Sequence, residues 1–213
     1  MARGKFIVIE GGDGAGKDTQ IELLKKDFPS FVYTREPGGT ALGKVLREMV
    51  LHESYGALPL LTEAFLFLAD RAQHASELVA PALREGKTVI SNRSWISMVA
   101  YQIYGRNQPE LRPIVNASVA EIYREAPIDA AIILDIPPDV GVARQRAAGK
   151  TFDVMESMSL EARGRIRQGF LDSAKNLPQA VVIDANRPVE EVYRDVKAIV
   201  ENILKKALEL RLI

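Results

Sequence analysis

The sequence contains no cysteine and only two histidines, so disulfides and thiolate metal sites are excluded and a histidine-based zinc site is disfavoured. It also lacks an excess of either charge. The 28 basic and 28 acidic residues give a formal net charge of +0, which offers no sign of a nucleic-acid or membrane surface. No apolar stretch is long enough to span a bilayer, and the apolar run near the start (KFIVIE) is too short for a signal peptide. We therefore expect a cytoplasmic protein that binds neither nucleic acid nor membrane.

Five short apolar runs predict buried strands. They span residues 5–10 (KFIVIE), 31–34 (FVYT), 88–91 (TVIS), 130–135 (AAIILD) and 180–184 (AVVID). Apolar residues at helical spacing predict helices between and after these runs. The predicted helices span residues 18–28, 41–51, 62–85 with a break near Pro81, 95–104, 116–125, 140–148, 160–174 and 189–210.

The alternation of strands and helices predicts an α/β fold, in which a five-stranded parallel sheet carries helices on both faces. The length of 213 residues, with 47% hydrophobic and 26% charged residues, is typical of one globular domain. No internal repeat, low-complexity tract or long linker divides the chain. We therefore expect a single domain over residues 1–213.

Residues 11–20 (GGDGAGKDTQ) nearly match the phosphate-binding loop pattern G-x-x-x-x-G-K-[ST]. The segment lies between a predicted strand and a predicted helix, the context that supports a phosphate loop over a glycine-rich turn that binds nothing. Backbone N–H groups of such a loop surround phosphate oxygens, and the helix that follows adds its positive N-terminal end. Lys17 would reach the β- and γ-phosphates of a nucleotide. The candidate nucleotide-binding residues are Gly11, Gly12, Asp13, Gly14, Ala15, Gly16, Lys17, Asp18 and Thr19.

Two further segments follow predicted strands, REPGGT at residues 35–40 and NRSWISMVAYQ at 92–102, and a third, VVIDA at 181–185, overlaps the fifth predicted strand. Together with DGAGK in the loop, they resemble the thymidylate kinase family, whose members transfer the γ-phosphate of ATP to dTMP. The resemblance covers nearly the whole chain. It implies the three-layer fold of P-loop NTPases with a short lid at about residues 144–159, ATP as co-substrate, Mg²⁺ as cofactor, and a homodimer formed through the apolar faces of residues 41–51 and 62–69.

The resemblance also implies a dTMP site. Phe67 matches the phenylalanine that stacks on thymine, and Arg71, one turn further along the same helix, matches the arginine that hydrogen-bonds the base. Taken alone, Phe67 is better interpreted as an ordinary helix core position, and the competing interpretation of Arg71 is a solvated charge. Arg93 matches the arginine that grips the dTMP phosphate, and Tyr101 the tyrosine that packs under the sugar and disfavours a 2′-hydroxyl. The candidate dTMP-binding residues are Asp13, Arg35, Pro37, Phe67, Arg71, Arg93, Ser97, Tyr101 and Gln102.

Phosphoryl transfer needs positive charge, and two subclasses of the family supply that charge from different segments. One subclass carries an arginine in the phosphate loop beside the aspartate, where this chain has Gly14. This chain therefore resembles the second subclass, in which the lid supplies basic residues, although Thr151 stands where family lids often have arginine. A solvated helix face is the competing interpretation of the two lid arginines. The candidate catalytic residues are Lys17, Arg93, Asp13, Arg144, Arg146 and Lys150.

Two positions near the expected metal depart from the family pattern. Asp18 replaces the Ser or Thr whose hydroxyl holds Mg²⁺, and Asn92 replaces the usual aspartate after the third strand. We interpret this as an exchange, in which Asp18 supplies the negative oxygen that Asn92 lacks. The alternative is decay, in which the added carboxylate repels the triphosphate and weakens catalysis.

Three other functions remain open from the sequence. A related kinase could accept dUMP or another deoxynucleotide, although Phe67, Arg71 and Tyr101 argue against it. A non-catalytic nucleotide-binding protein would explain Asp18 and Asn92. A structural protein with an empty loop fits least well. Turnover and binding measurements with nucleoside monophosphates distinguish the three.

Overall fold

The protein is described by a computed structural model that covers residues 3–52, 56–149 and 151–209, with side chains to residue 205. Its strands are β1 (Phe6–Gly11), β2 (Val32–Arg35), β3 (Val89–Asn92), β4 (Ala130–Asp135) and β5 (Ala180–Asp184). All pair in parallel, in the order β2-β3-β1-β4-β5. The predicted five-stranded parallel sheet is therefore confirmed, with the strand that leads into the phosphate loop at its centre.

Nine α-helices occur in the described ranges. They are α1 (Lys17–Asp27), α2 (Ala41–Leu51), α3 (Leu60–His74), α4 (Ala80–Arg84), α5 (Trp95–Met98), α6 (Arg112–Ile122), α7 (Pro138–Ala147), α8 (Leu160–Lys175) and α9 (Val189–Glu209). Two π-helical segments (Ala75–Val79 and Val99–Gly105) and one 3₁₀ turn (Pro109–Leu111) lie between them. No helix in this part of the chain combines the length and apolarity that a membrane crossing requires.

Successive residues of β1 face opposite sides of the sheet and reach two separate apolar clusters. Ile7 and Ile9 pack with residues of α1 and α9, whereas Phe6 and Val8 pack with residues of the π-helical segment Val99–Gly105 and of α8. The predicted covering of both faces is confirmed, and it explains why every residue of β1 is buried.

The long predicted helix over residues 62–85 is interrupted upstream of its proline. It consists of α3, the π-helical segment Ala75–Val79, and α4, in which Pro81 occupies the first turn. Proline lacks an N–H group, and its ring crowds the carbonyl four residues before it. The helix therefore widens in the turn that precedes Pro81.

Two other predicted helices differ from the structure in extent or in type. The helix predicted over 116–125 begins at Arg112 and ends at Ile122, since Pro113 suits the first turn of a helix rather than a loop before it. The helix predicted over 95–104 is α-helical only as far as Met98 and continues as a π-helical segment. Residue 210, the predicted end of the last helix, lies outside the described residues.

Candidate active site

The phosphate loop connects the buried end of β1 to α1, as the sequence predicts. Gly16 has φ 91° and directly precedes α1, so the loop turns into the helix through a left-handed residue. Gly14 has φ 80°, and a Cβ atom there would lie 2.3 Å from the carbonyl oxygen of Gly141 in α7. The backbone of the loop therefore packs directly against α7, and no side chain fits at Gly14.

Lys17 is buried and folds back over its own loop. Its Nζ atom donates hydrogen bonds to the carbonyl oxygens of Gly11 (2.9 Å) and Gly12 (2.8 Å). Burial, together with the nearby charge of Arg93, lowers the pKa of Lys17 to about 7. A phosphate anion in the loop would favour the charged form again, since an opposite charge raises the pKa of an amine.

Arg93, Asp13 and Tyr101 form a closed cluster beside the loop. The Arg93 guanidinium donates to Asp13 Oδ1 (2.5 Å) and to the Tyr101 hydroxyl (3.1 Å), which in turn donates to Asp13 Oδ2 (2.7 Å). Burial alone would raise the pKa of Asp13, but the charges of Arg93 and Lys17 outweigh it and lower that pKa. Arg93 Nη1 also donates to the carbonyl oxygen of Gly11 (3.2 Å), so the protein holds the guanidinium in place, and an incoming anion would share or displace these contacts.

A second set of hydrogen bonds connects Arg93 to β1 through Ser97. Arg93 Nη1 donates to Ser97 Oγ (3.0 Å), and Ser97 Oγ donates to the buried carboxylate of Glu10 (2.6 Å). Arg93 itself lies in the left-handed region with φ 76°, a strained conformation that is common at functional sites. Glu10 lies near the end of β1 and was not predicted as a site residue. A glutamate in an apolar strand gives no indication of its partners until the fold is known.

Asp18 and Asn92 lie in direct contact. Asn92 Nδ2 donates to Asp18 Oδ1 (2.8 Å), and Arg35 Nη2 donates to the same oxygen (3.1 Å). Asn92 is only 6% exposed, and its Oδ1 atom has no hydrogen-bond partner among the described residues. The described residues contain no cluster of three or more metal-ligating side chains, so a cation here would take one carboxylate and one amide oxygen from the protein. That is sufficient for Mg²⁺, which keeps water and phosphate ligands.

Phe67 and Arg71 lie on the opposite wall, on successive turns of α3. The Arg71 guanidinium lies 5.5 Å from the centre of the Phe67 ring and donates to the carbonyl oxygens of Phe67 and Ser94, both at 3.0 Å. Gln102 donates to Glu63 Oε1 at 3.2 Å. The contacts between Phe67 and Arg71 hold a flat apolar ring and a planar donor group side by side.

A cavity of about 220 Å³ joins these groups. It brings together most of the predicted site. The predicted residues that line it are Asp13, Gly14, Gly16, Lys17, Asp18, Thr19, Arg35, Pro37, Phe67, Arg71, Asn92, Arg93, Ser97, Tyr101 and Gln102, whereas Gly11, Gly12 and Ala15 do not line it. The sequence prediction missed Glu36, Arg47, Leu51, Asp153, Met155 and Glu156 in the lining.

The two proposed lid arginines do not line the cavity in this structure. Arg144 donates to the carbonyl oxygen of Ala185 at 3.1 Å, and Arg146 is also absent from the lining. Lys150 lies outside the described residues. A different arginine, Arg163 of α8, approaches the loop from this side and helps to lower the pKa of Asp13.

A phosphate loop at the carboxyl end of the central strand, open to an arginine-lined cavity, defines the class of phosphate-loop nucleotide kinases. The family model for thymidylate kinase matches residues 9–196. A thymidylate kinase of Carboxydothermus hydrogenoformans is 40% identical over 94% of this chain and 98% of its own length, and one of Methylobacillus flagellatus is 41% identical over 91% and 95%. The crystal structure of thymidylate kinase from Ehrlichia chaffeensis matches with a TM-score of 0.70 at 27% identity, over 93% of this chain and 99% of that one. The chain therefore belongs to the thymidylate kinase family and is a nucleoside monophosphate kinase.

Proposed function

We propose that the protein transfers the γ-phosphate of ATP to dTMP, giving ADP and dTDP for dTTP biosynthesis. The observation that carries this proposal is the single cavity that joins the phosphate loop to Phe67, Arg71, Arg93 and Tyr101. One substrate would supply the triphosphate to the loop, and the other would place its base against Phe67 and its phosphate beside Arg93.

The loop residues 11–19 would bind ATP. Backbone N–H groups and the N-terminus of α1 favour phosphate oxygens there, and Lys17 would exchange its two carbonyl partners for the β- and γ-phosphates. Because Lys17 has a lowered pKa in the free protein, its charge would be stabilised by the triphosphate itself.

Arg93 would hold the acceptor phosphate in line with the donor, since Asp13 and Tyr101 fix its guanidinium at the mouth of the loop. Arg35 and Ser97 would assist at the same end of the cavity. Catalysis in such a site is mainly positioning and neutralisation of the phosphoryl charge. The Tyr101 ring lies under the Arg93 guanidinium, at 5.0 Å, where a 2′-hydroxyl on the acceptor sugar would be crowded.

Phe67 and Arg71 would select the base. The ring of Phe67 offers a stacking surface for thymine, and the Arg71 guanidinium offers donors to its carbonyl oxygens. Pro37 and Gln102 would close the same end. Further positive charge would come from the lid residues Arg144, Arg146 and Lys150 after a movement of residues 144–159, and Arg163 already stands close to the loop.

Mg²⁺ fits the pair formed by Asp18 and Asn92. A carboxylate that is 77% exposed lies beside a buried amide whose oxygen has no partner among the described residues. Both would supply the hard oxygen ligands that Mg²⁺ prefers once the amide turns its oxygen toward Asp18 in place of the NH2 group that faces it here. When bound, the ion would neutralise negative charge on the phosphates. Asp18 would take the role of the missing carboxylate at Asn92, which supports the exchange over decay.

We further propose that residues 1–213 form a single cytoplasmic kinase domain that assembles as a homodimer. Exposed apolar side chains on α2, α3 and α6 support the assembly, because α3 packs against both α2 and α6. These side chains are Leu42, Val45, Leu61, Phe65 and Ile114.

A coupled ADP-release assay with ATP, Mg²⁺ and a panel of nucleoside monophosphates tests the activity. We expect kcat/KM for dTMP to exceed that for dUMP by about tenfold or more, the usual discrimination that one methyl group provides, and to exceed that for dCMP and dGMP further. Equal use of dUMP would contradict the substrate assignment. Binding of dTMP by calorimetry without turnover would instead identify a non-catalytic nucleotide-binding protein.

A further inference from the structure

A buried polar network lies behind the proposed base site. Glu36, just after β2, is fully buried, and its Oε1 atom accepts hydrogen bonds from His74 Nδ1 (2.7 Å) and the Tyr123 hydroxyl (2.8 Å). Its Oε2 atom accepts from the same hydroxyl (2.8 Å) and lies 3.3 Å from Arg71 Nε. The residues come from the end of β2, from α3 and from the end of α6, so the network ties three elements together.

The protonation pattern of this network follows from its partners. An ionised carboxylate only accepts hydrogen bonds, so His74 Nδ1 must carry a hydrogen. His74 Nε2 lies 2.8 Å from the Thr34 hydroxyl, so both ring nitrogens have a hydrogen-bond partner. Burial and the Glu36 carboxylate raise the pKa of Tyr123 well above its usual value, so its hydroxyl remains a donor. Both donors therefore point at one carboxylate.

Arg71 depends on that carboxylate. Its side chain is 2% exposed, and its Nη1 and Nη2 atoms each donate to a backbone carbonyl. Its buried Nε atom forms no hydrogen bond among the described residues and lies 3.3 Å from Glu36 Oε2, the only carboxylate in ion-pair contact with Arg71 in this part of the chain, so Glu36 acts on Arg71 through its charge. A buried ion pair is stable only when further hydrogen bonds satisfy the charges, and His74 and Tyr123 supply them on the carboxylate side.

We infer that His74 and Tyr123 are positioning residues for nucleobase recognition, because they hold the Glu36 carboxylate that fixes the Arg71 guanidinium. The ligand they serve is a planar base with carbonyl acceptors, such as a pyrimidine dione. Neither residue lines the cavity, so both act through Arg71 and Glu36. This inference rests on the proposed function.

The test is steady-state kinetics and dTMP calorimetry with Tyr123→Phe and His74→Leu. Each variant removes one hydrogen bond to a buried carboxylate, so we expect KM and Kd for dTMP to rise by about tenfold or more. KM for ATP should stay within about twofold, since the phosphate loop is untouched, and the preference for dTMP over dCMP should shrink.

A conservative variant and a stability control separate positioning from general weakening. The amide nitrogen of His74→Asn can replace the Nδ1 donor, so this variant should recover most of the dTMP affinity that His74→Leu loses. Val196→Ala removes buried side-chain atoms from the α9 cluster on the other face of the sheet, and it should lower Tm without changing the dTMP preference.

The inference is overturned if KM for dTMP and KM for ATP change in parallel, if His74→Asn is no better than His74→Leu, or if both deletion variants bind dTMP like the wild type. These results are distinguishable from failure of the proposed function. In that case the wild-type protein itself would neither bind nor phosphorylate dTMP, whatever the variants do.

Discussion

At the scale of single residues, the two departures from the family pattern become one feature. Asp18 and Asn92 are 74 positions apart in the chain, yet the Asn92 amide donates to the Asp18 carboxylate at 2.8 Å. Carboxylates at both positions would bring two like charges into contact. If neither position carried a carboxylate, the pair would offer no negative charge to a cation. The identities of the two residues are therefore physically coupled.

This coupling predicts the outcome of a double-mutant cycle. Asp18→Thr alone removes the carboxylate and Asn92→Asp alone places two carboxylates together, so we expect each to lower kcat and to weaken activation by Mg²⁺. The double variant should recover both, with a coupling free energy of about 1–3 kcal/mol. Mn²⁺ binding in the presence of ATP, followed by electron paramagnetic resonance, gives a readout independent of turnover.

Additive effects in the cycle would contradict the exchange. An increase in kcat for Asp18→Thr alone would favour decay, since the carboxylate would then be repelling the triphosphate. Arg35→Gln is the comparison variant, because it removes the other partner of Asp18 Oδ1 and keeps the negative charge of Asp18. It should weaken the use of dTMP through its own place in the acceptor site and leave activation by Mg²⁺ unchanged.

Site residues that belong to sequence motifs were easier to predict than site residues that reach the cavity through packing. Lys17 and Arg93 follow the ends of β1 and β3, and the carboxyl ends of parallel strands meet at one edge of the sheet. Arg47 and Met155 line the same cavity, but their approach depends on how α2 and residues 151–157 fold over that edge. No local pattern in the sequence indicates that these two segments come close to the phosphate loop.

At the scale of elements, the phosphate loop and α7 share a backbone contact. A Cβ atom on Gly14 would lie 2.3 Å from the Gly141 carbonyl oxygen, and one on Gly141 would lie 2.4 Å from the Asp13 carbonyl oxygen. The two glycines thus allow the loop to rest against the helix. The same contact explains, in this chain, why no arginine occupies the loop position at Gly14.

We therefore expect Gly14→Ala and Gly141→Ala to lower the free energy of unfolding by about 1–3 kcal/mol, the usual cost of overpacking. Gly14→Ala should also weaken ATP binding, because its φ of 80° is unfavourable for alanine and the loop would shift. Urea unfolding and ATP calorimetry measure the two effects.

Gly12→Ala is the control for this prediction. It lies two residues away in the same loop, and a Cβ atom there would meet nothing within 4 Å. Its unfolding free energy should equal or exceed that of the wild type. If Gly14→Ala were as stable as Gly12→Ala, the close contact with α7 would not constrain the loop.

The type of each element was easier to predict than its detailed form. The five strands were found because buried β-branched runs differ clearly from helical spacing. The π-helical segments Ala75–Val79 and Val99–Gly105 were not, since one extra residue in a turn barely alters an apolar pattern. The second of these segments carries Tyr101, so a feature that the sequence hides helps to place a site residue.

At the scale of the whole molecule, the surface of α2, α3 and α6 remains partly apolar. On α2, Leu46 and Val50 are buried while Leu42 and Val45 are about half exposed. The sequence predicts an apolar helix but not which of its residues face the core, because the stripe extends around more than one side. The homodimer that we propose would place a second copy of the chain on this surface.

Phe65 stands on α3 in the middle of that surface and is 47% exposed. A charge there would be buried without a partner in a dimer, so Phe65→Glu should weaken association by roughly 2 kcal/mol or more, about 30-fold in Kd, the threshold of an interface hot spot. Sedimentation velocity over a concentration series measures the shift toward monomer. Val189→Glu is the matched control: its parent side chain is 44% exposed at the start of α9, away from the three helices, so it should sediment like the wild type. A wild-type protein that remains monomeric at all concentrations, or a Phe65→Glu variant that dimerises normally, would exclude this surface as the interface.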